Sequence, residues 1–138
     1  MTTLDVPTAR LVWLPVCRLD DLVPERGAAA LVPDGPDGRR EQVALFRLLG
    51  DDVRAVQQLD PFSGAYVLAR GLVGSRLVDG DHVPTVASPM YKQVFDLRSG
   101  ACLDAAGRVP VAGGGPDLRT WSVRARQGVV EVAVDGAA

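Results

Sequence analysis

The sequence predicts an all-β domain, an antiparallel sandwich or barrel. Three observations carry this. Short apolar runs rich in Val and Leu recur along the chain, broken by Gly, Pro and Asp signals about every eight to twelve residues. No stretch of about twelve residues shows a convincing helical period. The chain closes on a hairpin pattern: Trp121-Ser122-Val123-Arg124-Ala125-Arg126 alternates, Gln127-Gly128 turns, and Val129 to Val134 returns. The 138 residues suit one domain with a core of workable size. No internal repeat is expected.

Taken in order, residues 1–9 read as a flexible N-terminus. Leu11 to Val16 is a first strand, ending at Pro15 or shortly after it. Leu19 to Pro24 is a turn with apolar anchors, and Ala28 to Val32 a second short strand between Gly27 and Pro33. Residues 33–40 hold closely spaced Asp-Gly turn signals and read as loop. Gln42 to Leu48 and Val53 to Leu59 form a hairpin across Gly50-Asp51-Asp52. In its first strand Val43 and Leu45 share one face, and Ala44, Phe46 and Leu48 the other. Ala65 to Gly74 reads as loop with a short helical turn or strand, and Ser75 to Asp81 as a polar turn. His82 to Ala87 and Gln93 to Leu97 are strands, separated by a loop. Arg98-Ser99-Gly100 is a tight turn, and residues 105–118 are Gly-, Pro- and Ala-rich loop. Residues 135–138 are expected to be flexible.

Composition excludes several function classes. A net charge of −2 offers no basic footprint for nucleic acid. No run approaches the roughly 18 apolar residues of a membrane span. Met1-Thr2-Thr3-Leu4-Asp5 has neither the basic nor the apolar part of a secretory signal, so a cytoplasmic protein is expected. Cys17 and Cys102 lie far apart outside any Cys-x-x-Cys spacing and read as reduced thiols. His82 is the single histidine.

Two loops look like a matched pair. Asp60-Pro61-Phe62-Ser63-Gly64 and Ser88-Pro89-Met90-Tyr91-Lys92-Gln93 each follow an apolar run and turn on a proline. The pair resembles the cluster-binding loops of a Rieske iron–sulfur domain, Cys-x-His in the first and Cys-Pro-x-His-Gly-x-x-Phe in the second. By that resemblance Asp60 stands for the first Cys, Phe62 for the first His, Ser88 for the second Cys and Tyr91 for the second His. A Rieske centre needs two thiolates on one iron and two imidazoles on the other. Phe62 has no donor, Ser88 is a neutral hydroxyl, and a lone histidine supplies no His pair. The expectation is a Rieske-type fold without an iron–sulfur cluster.

Further residues narrow the resemblance. Asp60-Pro61-Phe62, Ala69-Arg70-Gly71, Ser88-Pro89-Met90-Tyr91-Lys92-Gln93 and the front run Trp13-Leu14-Pro15-Val16-Cys17 look like the small subunit of bacterial NAD(P)H-dependent nitrite reductase. The likeness spans residues 10–134, with a loop subdomain at about 60–103. It implies a non-redox accessory chain whose partner is a large catalytic subunit carrying FAD, siroheme and a [4Fe–4S] cluster, reducing nitrite to ammonium in nitrate assimilation. No cofactor or metal site is expected in this chain. A cofactor-free module that binds or regulates another protein is the competing reading.

Each singled-out side chain has a plain reading beside the sharp one. Asp60, before Pro61, caps a turn or is a catalytic carboxylate. Ser88 has no Gly-x-Ser-x-Gly setting and is expected to bond nearby backbone rather than act as a nucleophile. Phe62 and Tyr91 are expected to pack against each other or close the gap between the loops. His82 reads as a solvated strand-end residue, the sharper reading being a metal trio with Asp60 and Tyr91. Arg70, Lys92 and Gln93 are candidate partner contacts, and no catalytic residue is assigned.

Overall fold

Strand β3 (Arg40–Arg47) is apolar on both faces, and the chain packs around it. Val43 and Leu45 enter one core and Ala44 and Phe46 the other, following the two-residue period of a strand. The structure, a computed structural model, describes residues 11–34, 37–111 and 113–135. With β2 (Arg26–Pro33), β4 (Val53–Gln57) and β9 (Thr120–Trp121), β3 forms a central sheet in the order β2-β3-β4-β9. A second sheet runs β1-β11-β10, from β1 (Leu11–Arg18), β10 (Val123–Arg126) and β11 (Val129–Asp135). The third runs β5-β6-β7-β8, from β5 (Leu72–Val78), β6 (Asp81–Ala87), β7 (Val94–Asp96) and β8 (Cys102–Asp104). The paired strands are antiparallel. Among the described residues helix is confined to three-residue turns at 19–21, 49–51 and 68–70, so the domain is all-β.

The central sheet is shared by two cores. On one side Val43, Leu45, Val53 and Ala55 meet Val130, Val132 and Val134 of β11, giving the sandwich. On the other, Ala44, Phe46 and Val56 meet Phe62, Leu68, Val86, Phe95 and Leu97 from the third sheet and its loops. Phe46 and Phe95 are both 0% exposed, and burying one such side chain contributes about 1.5–3 kcal/mol. The second core holds the two candidate loops against the sandwich.

Several local expectations needed correction. The polar turn expected at Ser75 to Asp81 is mostly strand: β5 continues to Val78, and only Asp79-Gly80 turns. Both take positive φ, 50° and 87°, the geometry of a tight β-hairpin. Strand β8 was not anticipated, being too short to show a period. The run 121–126 divides at Ser122: Trp121 pairs with β4 and Val123 onward with β11, so the chain crosses from one sheet to the next. Asp135, expected to be flexible, ends β11 opposite Leu11. The other expected flexible residues, 1–9 and 136–138, lie outside the described residues.

Candidate functional site

The two loops are built on one hydrogen-bond frame. In the first, Asp60 N–H donates to Ala65 O at 2.8 Å and Gly64 N–H to Asp60 O at 2.8 Å. In the second, Ser88 N–H donates to Gln93 O at 2.9 Å and Lys92 N–H to Ser88 O at 3.0 Å. The leading side chain then accepts from the backbone two residues on: Phe62 N–H to Asp60 Oδ1 at 2.8 Å, and Met90 N–H to Ser88 Oγ at 3.2 Å. The fifth residue is left-handed in both, Gly64 at φ 78° and Lys92 at φ 64°.

A third loop repeats the frame. Asp96 N–H donates to Ala101 O at 2.9 Å, Gly100 N–H to Asp96 O at 2.8 Å, and Arg98 N–H to Asp96 Oδ1 at 2.7 Å. The recurrence is of a turn and not of a structural repeat, so it leaves the expectation of no internal repeat as it stands. Residues 60–65 and 96–101 share Asp-x-x-Ser-Gly-Ala, a unit too short to register as a domain-scale period. Burial alone would raise the Asp96 carboxyl, but bonds from Arg98 and Ser99 outweigh it and hold it below its ordinary value. A depressed carboxylate stabilises the fold above its unfolded-state value and loses that contribution as the pH falls through its folded value. In thermal melts the stability gap between the parent and Asp96→Asn is therefore expected to narrow below about pH 4. A gap that stays constant there would contradict this assignment.

The first two loops are joined side chain to side chain. Ser88 Oγ donates to Asp60 Oδ2 at 2.6 Å. Asp60 is 0% and Ser88 1% exposed, so the bond is shielded from water. Ser88 was expected to bond backbone; it also spans to the other loop. The Asp60 carboxylate accepts from both loops at once and ties them together.

The paired aromatics part company. Phe62 is buried and turns into the core, its ring centroid 6.2 Å from that of Phe95. Tyr91 is exposed at the surface, where the Arg108 guanidinium lies 3.7 Å from its ring centroid. Of the two arrangements expected for them, packing on each other is not among the ring contacts of the described residues. The segment 105–118 joins the site: Val111 N–H donates to Pro61 O at 3.0 Å, and Leu118 enters the second core. Sequence reasoning missed Arg108 and Val111 because their segment reads only as flexible loop.

Arg70 and Lys92 are exposed, as a partner contact requires. Gln93 is corrected: it is 0% exposed, and neither its Nε2 nor its Oε1 has a hydrogen-bond partner among the described residues. It follows the left-handed Lys92, and its main chain is tied to Ser88, which points its side chain inward. His82 is exposed at the start of β6, away from any metal trio.

These donors do not fit a [2Fe–2S] centre. Of the four positions, Phe62 offers no donor, Asp60 and Ser88 are spent on each other, and Tyr91 lies under Arg108. Burial raises both Cys17 and Cys102, with nearby carboxylates adding to it, so neither favours the thiolate. Among the described residues no group of His, Cys, Asp or Glu is placed to hold a metal ion.

Residues 12–133 match the Rieske-like [2Fe-2S] domain family. The small subunit of nitrite reductase (NADH) from Escherichia coli K12 is 41% identical over 93 residues, 67% of this chain and 77% of that protein. The chain belongs to the family of nitrite reductase small subunits. The solved Escherichia coli protein NirD shares 33% identity and superposes with a TM-score of 0.70, covering 93% of this chain and 100% of that one. In Klebsiella oxytoca, the nitrite reductase [NAD(P)H] large subunit is 39% identical over 120 residues, 87% of this chain and 11% of that protein. The small-subunit domain thus has a counterpart inside a large-subunit polypeptide. Members of this small-subunit family combine the Rieske-type fold with a place in an oxidoreductase complex. No helix among the described residues is long and apolar enough to cross a membrane.

Proposed function

We propose that this chain is the non-redox accessory subunit of an assimilatory NAD(P)H-dependent nitrite reductase, acting in the cytoplasm. Its partner is a large subunit that carries FAD, siroheme and a [4Fe–4S] cluster and reduces nitrite to ammonium. The observation that carries the reading is the Ser88–Asp60 bond. Loops of a kind that elsewhere close on iron are closed here by a hydrogen bond, in a chain of the nitrite reductase family. The large-subunit polypeptide of Klebsiella oxytoca supports a role beside such a partner.

The contact is assigned to the loop tips, residues 60–72 and 88–93, with Arg70 and Lys92 as charged points. Lys92 holds φ 64°, a conformation that costs a non-glycine residue about 1–2 kcal/mol. Met90 and Tyr91, 45% and 38% exposed, add apolar surface next to Lys92.

Reconstitution with the cognate large subunit tests this. The two chains are expected to co-elute, and omitting this chain is expected to lower NAD(P)H-driven nitrite reduction. Full activity and stability of the large subunit alone would refute the role. A purified chain with stoichiometric iron and two-iron absorption would refute its non-redox character.

A further inference from the structure

Strand β5, Leu72 to Val78, is the outermost strand of the third sheet. Its register sets Ser75 opposite Pro84. Proline has no N–H to give, and the Pro84 carbonyl turns to the far side, accepting Leu97 N–H at 2.9 Å. Ser75 and Pro84 therefore form a non-hydrogen-bonded pair. By the alternation of an antiparallel ladder, the N–H and C=O groups of Val73, Ser75 and Leu77 point away from β6. Among the described residues none of them bonds to another part of the chain.

Proteins blunt such edges with proline, bulges, lysine or brevity. Strand β1 carries Pro15 and a register shift after it, β8 and β9 are 3 and 2 residues long, and β2, the other long edge at 8 residues, ends on Pro33 and has the Ala69 backbone packed against it at Gly27. Strand β5 has 7 residues in unbroken register with no proline, bulge or lysine, and its single charged side chain, Arg76, is turned to Asp104. Two adjoining grooves of about 410 and 260 Å³ share Glu25 and Val73. Leu72 and Leu77 are 78% and 61% exposed. Arg26 and Arg70 line the larger groove with Glu25, and neither guanidinium makes a salt bridge among the described residues.

We propose that an extended segment of the large subunit adds to β5 as a further strand, with a carboxylate meeting Arg70 and apolar side chains covering Leu72 and Leu77. This rests on the small-subunit reading given above. In strand addition the main chain supplies affinity and the flanking pockets select the sequence. In the larger groove Arg26 and Arg70 outnumber Glu25, whereas the smaller is lined by Glu25 and Asp52, so an acidic residue is selected at the Arg70 end of the segment and not along its whole length. The counterpart within the Klebsiella oxytoca large subunit favours a partner on that polypeptide over a second copy of this chain.

Ser75→Pro tests it, because proline is tolerated on an edge strand where the lost N–H faces outward. Binding to the purified cognate large subunit is expected to weaken about tenfold or more. Arg70→Glu is expected to weaken it too, and Ser75→Ala to leave it unchanged. Hydrogen exchange on the unmutated pair needs no variant: the amides of Val73, Ser75 and Leu77 are expected to exchange fast in the free chain and slowly in the complex. Amides left unprotected in the complex, or unchanged binding by a folded Ser75→Pro chain, overturn the strand addition and leave the small-subunit reading intact. A chain that does not bind the large subunit overturns both. Protection of the same amides in a concentration-dependent homodimer overturns the choice of partner.

Discussion

Asp60→Ala is expected to destabilise the fold by about 3–5 kcal/mol. The carboxylate is 0% exposed and accepts from Ser88 Oγ at 2.6 Å and from Phe62 N–H at 2.8 Å. Its removal leaves a hydroxyl and an amide without an acceptor where water does not reach, and each unsatisfied donor costs about 1–3 kcal/mol. Ser88→Ala is expected to cost less, about 1.5–3 kcal/mol, because the carboxylate keeps the Phe62 bond. Urea unfolding of both single variants and the double variant measures the coupling. The two changes are expected to be strongly non-additive, since either one breaks the same link between the loops. Simple additivity would mean that the bond does not hold the loops together.

Phe62→Ala is expected to cost about 3–5 kcal/mol, the usual range for truncating a buried phenylalanine. The ring is 2% exposed and fills the core between the central and third sheets beside Phe95 and Leu68. Tyr91→Ala, at the other position matched to a Rieske histidine, is expected to cost about 1 kcal/mol or less. It gives up an exposed cation–π contact with Arg108 and little burial. The same unfolding experiment compares them, and equal losses would reject the division of labour. Phe62 supports the fold, whereas Tyr91 is free to serve a surface.

The sheets were legible where the signal is local. The hairpin of β3 and β4 follows from alternation around Gly50-Asp51-Asp52, and the two faces of β3 from its period. Strand β5 was cut short because Gly74-Ser75-Arg76 reads as turn chemistry; pairing with β6 overrides that weak preference. Arg108, in a Gly- and Pro-rich loop, gave no sign that it would settle on Tyr91. The short repeat at Asp60 and Asp96 was visible in principle as Asp-x-x-Ser-Gly-Ala.

The amino-acid sequence alone determined the all-β class, the hairpins with strong local alternation and the loss of ligand chemistry at positions 60, 62, 88 and 91. Alternation and turn preferences act between near neighbours, and no fold can give Phe62 a donor atom. Tertiary structure alone decided that Ser88 meets Asp60, 28 residues away, that Phe62 turns inward while Tyr91 turns outward, that Gln93 is buried, and that β5 keeps an open edge. Those outcomes depend on which element lies opposite which. Sheet order and the packing of two cores set that, and spacing along the chain carries no record of it.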